Sequence, residues 1–338
     1  MAAITGWSRP TCSDVGVALG ISAPDALSTS TIIVTGGSHG IGAETMQFLA
    51  MQGATVIIAS RKRTAAEAAI AAAREKAKRE LKIFFLPLDL SSLSSIQAFA
   101  EAFTCLTLKE NLPPLDTLIL NAGIMRMGMP GGMAQASGTD IEMTFAVNHL
   151  GGFSLTQLLL PKLRQAAAKG GRGGRVVVLS SGSHKGPYNC SNIEDKNLLV
   201  EKVVTCKTGY GGLGAYGSSK MCNVLFAQEL QRREVETGVV CCSLHPGALI
   251  GTSIAAGSNF AIRGFFSFAS LFTKSCDQGA ATTVYCSLLP PADLQGKYFD
   301  SCEEATISSN ATTAAAAVLW DLSWTLYSNG WDVAKLEL

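Results

Sequence analysis

The apolar segments of this chain are continuous rather than alternating, and this feature restricts its fold more than any other. Thr31–Thr35, Thr55–Ala59 and Arg175–Leu179 are apolar or β-branched at almost every position. A strand with one buried face alternates apolar and polar residues, whereas a strand of a parallel sheet is covered by helices on both faces. The pattern therefore predicts a parallel sheet enclosed between two layers of helices.

Segments with helical periodicity lie between these strands. Apolar residues recur at helical spacing from Ile41 to Met51, and Thr64 with Glu67 forms a capping-box pattern before an alanine-rich segment. The alternation predicts an α/β fold, a single Rossmann-type doubly wound parallel sheet of about seven strands flanked by helices. The other predicted strands are Ile83–Leu88, Thr117–Leu120, Val239–Leu244 and Lys297–Phe299, and the other predicted helices are Ser91–Phe103, Asp140–Leu163, Tyr216–Glu236 and Gln278–Leu288.

Composition bounds the domain organisation and the classes of partner. Because 47% of the residues are apolar and no convincing linker divides the chain, we predict one domain over residues 31–330, after an N-terminal extension, residues 1–30, of loose helical character. The formal net charge of +1 gives no reason to expect a nucleic-acid partner. No apolar run reaches the roughly 18 residues that span a bilayer, so no transmembrane segment is expected, while peripheral membrane contact stays open.

The ten cysteines are scattered, without a C-x-x-C pair or the spacing of zinc ligands. We therefore predict reduced thiols, no metal site and a cytoplasmic location, with an organelle lumen or a membrane periphery as alternatives. No residue indicates the oligomeric state, and a homo-oligomer is one alternative.

The first strand ends in a glycine-rich turn, Thr35–Gly42, that opens the first helix. Glycines allow a sharp turn and a close approach of the backbone to a pyrophosphate. The free N–H groups at the start of the helix favour the negative charge of that pyrophosphate. The turn therefore predicts a dinucleotide site. Its candidate cofactor contacts are Gly36, Ser38, His39, Gly40, Ile41 and Gly42.

The second strand ends in three basic residues, Arg61 to Arg63, where NAD-binding folds usually present an acidic residue. A guanidinium forms a bidentate pair with a phosphate, so Arg61 predicts NADP(H) rather than NAD(H), with a merely solvated basic surface as the alternative. The later strand ends add a carboxylate for the adenine amino group and small residues beside the ribose. These candidates are Asp89 and Leu90 after the third strand, and Asn121, Ala122 and Gly123 after the fourth.

Taken together, these residues resemble the short-chain dehydrogenase/reductase family. The matching motifs are TGxxxGIG at Thr35–Gly42, Asn121–Gly123, Asn148 within Val147–Gly151, Ser181, Tyr216-x-x-x-Lys220 and His245-Pro246-Gly247. Within the family the chain looks most like the group that contains retinol dehydrogenases, the WW-domain oxidoreductase and protochlorophyllide reductase. The segments that support this group are Val147–Gly151, Ser218–Asn223 and Gln278–Thr282.

Tyr216 and Lys220 are four residues apart and share one face of a helix. A nearby ammonium, together with the positive nicotinamide ring, favours the phenolate and lowers the pKa of the phenol, so we predict that Tyr216 exchanges a proton with the substrate oxygen. The resemblance implies that Lys220 also holds the nicotinamide ribose and that Ser181 donates a hydrogen bond to the substrate oxygen. It also implies that Asn148 holds a water molecule that links Lys220 to solvent.

The resemblance also implies that Pro246 and Gly247 border the cofactor, and Ser180 is an alternative to Ser181 as the working serine. The apolar stretch Ile250–Phe272, within a segment near residues 250–275, is expected over the nicotinamide end. A lid over an apolar substrate pocket is one interpretation. Ordinary core, a dimer contact and a membrane-surface face are the others. The lid interpretation implies a lipophilic aldehyde, ketone or alcohol as substrate.

Two functional hypotheses follow. The first is an NADP(H)-dependent oxidoreductase that interconverts a carbonyl and an alcohol by hydride transfer, because Asn148, Ser181, Tyr216 and Lys220 are all present. The second is an NADPH-binding regulatory or scaffold protein with little turnover, motivated by the N-terminal extension and by a resemblance to a translocon-associated dehydrogenase. Reduction of a C=C bond is less favoured, since the additional features of the protochlorophyllide reductases are not evident.

Overall fold

The structure, a computed structural model, describes residues 10–126, 135–136, 138–170, 172–186, 193–206, 211–247 and 275–337. The strands are β1 Thr31–Thr35, β2 Thr55–Ser60, β3 Ile83–Pro87, β4 Leu115–Leu120, β5 Arg175–Leu179, β6 Val240–His245, β7 Tyr298–Asp300 and β8 Glu303–Glu304. They form one sheet in the order β3-β2-β1-β4-β5-β6-β7-β8, in which β1 to β7 are parallel and β8 is antiparallel to β7.

The predicted doubly wound parallel sheet is confirmed, but the predicted number of about seven strands is wrong by one. The additional strand, β8, consists of two exposed glutamates that pair with Phe299 and Asp300. So short a strand without an apolar residue has no periodic signal in the sequence.

Helices connect the strands and cover the sheet. They are α1 Cys12–Ala18, α2 Gly40–Met51, α3 Arg63–Ala77, α4 Leu93–Lys109, α5 Met143–Phe145, α6 Gly151–Ala168, α7 Lys196–Leu199, α8 Gly212–Glu234, α9 Cys276–Leu288, α10 Pro291–Leu294 and α11 Thr313–Ser328. The expected capping box at Thr64 is wrong, because α3 begins at Arg63 and its N-cap residue is Lys62. The long helix expected from Asp140 is instead α5 and α6 joined by a π turn, Ala146–Leu150.

The hydrophobic core lies on both faces of the sheet. In β1, Ile33 packs into the cluster formed with α4, α6, α8 and α11, whereas Ile32 and Val34 pack into the cluster with α1, α2 and α9. This two-sided burial explains why the strands are apolar at successive positions. The parallel direction of β1 to β7 brings their carboxyl ends to one edge of the sheet.

Both ends of the described chain pack onto this body. The N–H of Cys12, at the start of α1, donates to the Asp277 carboxylate at 3.1 Å. At the other end, Trp320 of α11 contacts Phe153 and Phe226, with ring centroids 5.1 and 6.0 Å apart. In the part of the chain that the structure describes, no helix is long and apolar enough to cross a membrane.

Candidate active site and cofactor cleft

A cleft of about 630 Å³ runs along the carboxyl ends of the parallel strands. Open parallel sheets bind ligands at this edge. Most of the residues predicted from sequence line it, namely Gly36, Ser38, His39, Gly40, Ile41, Gly42, Arg61, Asp89, Leu90, Asn121, Ala122, Gly123, Tyr216, Lys220 and Pro246. Three predicted residues, Asn148, Ser181 and Gly247, are not among the residues that line it.

The loop after β4 holds the glycine turn in place. Asn121 Nδ2 donates to the Thr35 carbonyl oxygen at 2.8 Å, and the Ala122 N–H donates to the Thr35 hydroxyl at 3.0 Å. Gly36 has a φ of 67°, and a Cβ on Gly42 would lie 2.4 Å from the Gly36 carbonyl oxygen. Both positions therefore require glycine. Asn121 supports the turn through its hydrogen bond to the Thr35 carbonyl.

The start of α2 is open to the cleft. His39 is the N-cap residue, but its side chain makes no capping hydrogen bond, and its Nδ1 lies 3.0 Å from the Ser38 hydroxyl. The N–H groups of the first turn are therefore left for a ligand, and the helix dipole favours an anion there. This arrangement fits a pyrophosphate.

Arg61 and Lys62 line the cleft at the end of β2. The third basic residue, Arg63, lies 3.6 Å from the Glu67 carboxylate and stacks on the Phe85 ring at 4.8 Å. Of the basic residues that the sequence singled out here, Arg61 is therefore the guanidinium that faces the cleft.

Asp89 presents an oriented carboxylate to the same end of the cleft. Its Oδ1 accepts hydrogen bonds from the N–H and the hydroxyl of Ser91 at 2.9 and 2.7 Å. Its own N–H donates to the Ser95 hydroxyl at 2.9 Å. These bonds fix the direction of the carboxylate toward the cleft.

Asn148 lies in the π turn between α5 and α6, and such single turns are frequent at functional sites. Its Oδ1 accepts from the Ile124 N–H at 2.7 Å, and its Nδ2 donates to the Ile124 carbonyl at 2.9 Å and to Ser219 Oγ at 3.0 Å. A Cβ on Gly123 would lie 3.3 Å from Asn148 Oδ1 and 3.2 Å from Lys220 Nζ. Asn148 thus lies near the lysine, and its water-holding role stays a prediction.

The two serines after β5 differ in their surroundings. Ser180 is buried, and its hydroxyl donates to the Lys220 carbonyl oxygen at 2.6 Å. Ser181 is half-buried, and its Oγ accepts from the Ser183 N–H at 3.2 Å and forms a hydrogen bond with Tyr216. The geometry therefore favours Ser181 over Ser180 as the serine that meets a substrate.

Lys220 is an ammonium enclosed by the protein, only 3% exposed. Its Nζ donates to the Leu179 carbonyl oxygen at 3.0 Å and lies 5.7 Å from the centre of the Tyr216 ring. Burial lowers the pKa of Lys220 to about 8, because a charge loses its hydration in apolar surroundings. The Leu179 carbonyl also accepts from Asn223 Nδ2 at 3.0 Å.

The expectation that Lys220 lowers the pKa of Tyr216 needs correction. Burial raises the pKa of Tyr216, and the hydrogen bond with Ser181 only opposes this effect in part. Lys220 is not among the groups that shift this pKa, and the loss of solvent around the hydroxyl is the largest effect. The phenol is protonated at neutral pH, and in this state it can donate a proton.

The cleft also contains residues that sequence reasoning missed. They are Ser60, Ser91, Ile124, Met125, Arg126, Met143, Val147 and Leu179, with Ala59 and Leu88. Lys62, which the sequence placed beside Arg61, and Ser180, the alternative to Ser181, also line the cleft. The place of Met125 and Arg126 in the loop after β4 is a signal that could have found them. Val147 opens the Val147–Gly151 motif, whereas Met143 has no such local signal. Residues 250–274 of the expected lid lie outside the described residues.

Known proteins are similar over most of the chain. A family model described as short chain dehydrogenase matches residues 30–192. The WW domain-containing oxidoreductase of Danio rerio is 40% identical over 302 residues, 88% of this chain and 68% of that protein. Short-chain dehydrogenase TIC 32 A, chloroplastic, of Brassica napus is 38% identical over 297 residues, 87% of each chain. Retinol dehydrogenase 12 of Mus musculus is 36% identical over 304 residues, 89% of this chain and 87% of that protein.

Solved structures repeat the architecture. An uncharacterised protein from Mycobacterium paratuberculosis is 30% identical with a TM-score of 0.64, covering 96% of this chain and 98% of its own. An NADPH-bound carbonyl reductase from chicken fatty liver is 21% identical with a TM-score of 0.60, covering 82% of this chain and 98% of its own. At that identity the second likeness shows the fold alone.

Proposed function

Because the chain belongs to the short-chain dehydrogenase/reductase family, we propose that it is an NADP(H)-dependent oxidoreductase that interconverts a carbonyl and an alcohol on a lipophilic small molecule. One observation carries the proposal: Tyr216, hydrogen-bonded to Ser181, and Lys220 line the same cleft as Arg61. Such a cleft can hold a long dinucleotide with its reactive end beside a proton donor.

NADP(H) fits the residues at the nucleotide end of the cleft. The open start of α2 receives the pyrophosphate, and the Arg61 guanidinium pairs with the 2′-phosphate. The Asp89 carboxylate accepts a hydrogen bond from the adenine amino group. When bound, NADPH supplies the hydride.

Tyr216 donates its proton to the substrate oxygen as negative charge develops there. Its raised pKa keeps the proton in place at neutral pH, and Ser181 orients the hydroxyl and donates a second hydrogen bond to the same oxygen. Lys220, held by the Leu179 carbonyl, offsets the negative charge that remains on the phenolate. Alcohol oxidation runs through the same groups in reverse.

The substrate class follows from the apolar residues at the tyrosine end. Ile124, Met125, Met143 and Val147 line the cleft there, and apolar walls with a few polar groups are typical of sites for small lipophilic ligands. The name of one relative, retinol dehydrogenase 12, gives that protein a lipophilic alcohol, which supports the same class here.

Oxidation of NADPH with a panel of lipophilic aldehydes and ketones tests the proposed reaction. Tyr216→Phe is expected to lower kcat at least ~100-fold, because it removes the proton donor, and to leave the Kd for NADPH within about twofold. Turnover that survives the substitution excludes Tyr216 as the donor. A wild-type protein that binds NADPH but turns over nothing in the panel favours the scaffold alternative.

The cofactor preference has a matched pair of variants. Arg61→Gln is expected to raise the Kd for NADPH about 10- to 100-fold, since charge-assisted hydrogen bonds contribute about 1.5–3 kcal/mol, and to leave NADH binding unchanged. Arg63→Gln removes a neighbouring guanidinium that already contacts Glu67 and Phe85, and is the control. The Kd values are measured by fluorescence titration. An equal loss of NADPH affinity in the two variants would mean that only the overall positive charge matters, and not a pairing of Arg61 with the 2′-phosphate.

A further inference from the structure

We propose that His184 is a positioning residue that holds Ser181 in the orientation in which its hydroxyl meets Tyr216 and the substrate oxygen. This role rests on the proposed function and adds a residue to the same site. His184 lies in the 3-10 turn Gly182–Lys185, which follows Ser181 directly and has Ser181 as its N-cap residue. The buried His184 ring is not among the residues that line the cleft, so it acts through the serine.

Hydrogen bonds to both ring nitrogens define the orientation and the tautomer of His184. Its Nδ1 lies 2.7 Å from the Ser181 carbonyl oxygen, and the Ser308 N–H donates to its Nε2 at 3.3 Å. A carbonyl only accepts and an N–H only donates, so the ring proton is on Nδ1.

The peptide of Ser181 is held twice by this one residue. Its carbonyl accepts from the ring Nδ1–H of His184 and also from the His184 backbone N–H, the latter at 3.1 Å. These two bonds hold the peptide plane that follows Ser181, and so they restrict the backbone from which its side chain projects. The Ser181 hydroxyl donates to Ser183 Oγ at 3.2 Å and also interacts with Tyr216.

The His184 ring in turn packs against elements that follow α8 in the chain. The ring is 0% exposed, and its centroid lies 4.8 Å from that of Tyr298 in β7. Ser308 lies in the connection between β8 and α11. A Cβ on Gly182 would lie 3.5 Å from His245 Nε2, so the end of β6 packs against the same turn. His184 therefore connects Ser181 to two separate segments, β7 and the connection before α11.

The electrostatic surroundings agree with a neutral ring. Burial lowers the pKa of His184, the bond to Ser181 opposes this, and the Lys185 ammonium adds to the lowering. Protonation would place an N–H of the ring against the Ser308 N–H and remove one of the two bonds. The described arrangement therefore belongs to the neutral form.

Three substitutions separate the two hydrogen bonds from the packing of the ring. His184→Phe keeps a ring against Tyr298 and removes both bonds, His184→Asn keeps a donor near the position of Nδ1, and His184→Gln keeps an acceptor near that of Nε2. We expect kcat to fall about 10- to 100-fold in the Phe and Gln variants, since a displacement of about 1 Å can cost that much. In the Asn variant kcat stays within about threefold, and no variant changes the Kd for NADPH. Equal losses in all three variants, parallel to their loss of thermal stability, would overturn the proposal.

A double substitution tests whether His184 acts through Ser181. If it does, adding His184→Phe to Ser181→Ala lowers kcat by less than about twofold further, because the hydroxyl to be oriented is already gone. Losses that multiply would contradict this coupling.

The tautomer can be measured without turnover. In the full-length protein, the ¹⁵N resonances of His184 are expected to show a protonated Nδ1 and an unprotonated Nε2. A proton on Nε2 overturns the proposal whatever the turnover. Absent turnover with the proton on Nδ1 counts instead against the proposed function alone.

Discussion

Replacement of Lys220 with methionine is expected to change how the stability of the protein depends on pH. The pKa of Lys220 is lowered by burial to about 8 from its ordinary value of 10.5. Between these values the native state binds fewer protons than the unfolded state, so stability rises with pH. The full penalty, about 3 kcal/mol at roughly 1.4 kcal/mol per pH unit of difference, is present below pH 8 and disappears as pH rises past 10.5.

Methionine keeps the apolar stem of the side chain and removes its charge. The Leu179 carbonyl retains its bond from Asn223 Nδ2 at 3.0 Å, so the substitution leaves this acceptor with a partner. The lost ammonium bond contributes about 1.5–3 kcal/mol and partly masks the gain in absolute stability. The pH dependence is therefore the cleaner measure. Between about pH 6.5 and 9.5 the free energy of unfolding of the wild type should rise by about 2 kcal/mol relative to that of the variant.

Urea unfolding of both proteins across this pH range, without cofactor, measures the effect. Lys82→Met removes a lysine that is exposed in this structure and is the control for a change of one charge. A free-energy difference between wild type and Lys220→Met that stays constant from about pH 6.5 to 9.5 would refute the reasoning. The Lys220 variant should also lose turnover, because it lacks the ammonium proposed to offset the charge of the Tyr216 phenolate.

Three further predictions each follow from a single residue. Gly42→Ala should abolish NADPH binding in a fluorescence titration, because the new Cβ would lie 2.4 Å from the Gly36 carbonyl oxygen, and tight binding by this variant would contradict it. Burial lowers the pKa of His149 to about 3, so its native state resists a proton that the unfolded state accepts. Stability should fall by about 2.5 kcal/mol from about pH 7 to 4.5 in urea unfolding, and His149→Met should remove this part of the fall. Arg175 is buried and donates to the Ser287 and Leu289 carbonyls, both at 2.9 Å. Arg175→Met should therefore lower the free energy of unfolding, measured in urea, by about 3 kcal/mol. A loss below about 1 kcal/mol would contradict this account.

Local patterns in the sequence determined the core of the fold and the nucleotide end of the cleft. Continuous apolar strands indicate two-sided burial, and a glycine turn between a strand and a helix has few other uses, so the lining from Gly36 to Gly42 and Arg61 was predictable. The spacing of Tyr216 and Lys220 places them on one helix face by geometry alone. Two exposed glutamates, by contrast, have no pattern from which β8 could be inferred.

Tertiary structure decided the features that depend on burial and on partners distant in sequence. The choice between Ser180 and Ser181 depends on which hydroxyl the Lys220 carbonyl accepts from, and the pKa of Tyr216 depends on how much solvent the surrounding chain removes. His184 meets Ser308 across 124 residues of sequence. Spacing reports only neighbours within a few residues, whereas desolvation and long-range hydrogen bonds exist only once the sheet and its helices have packed.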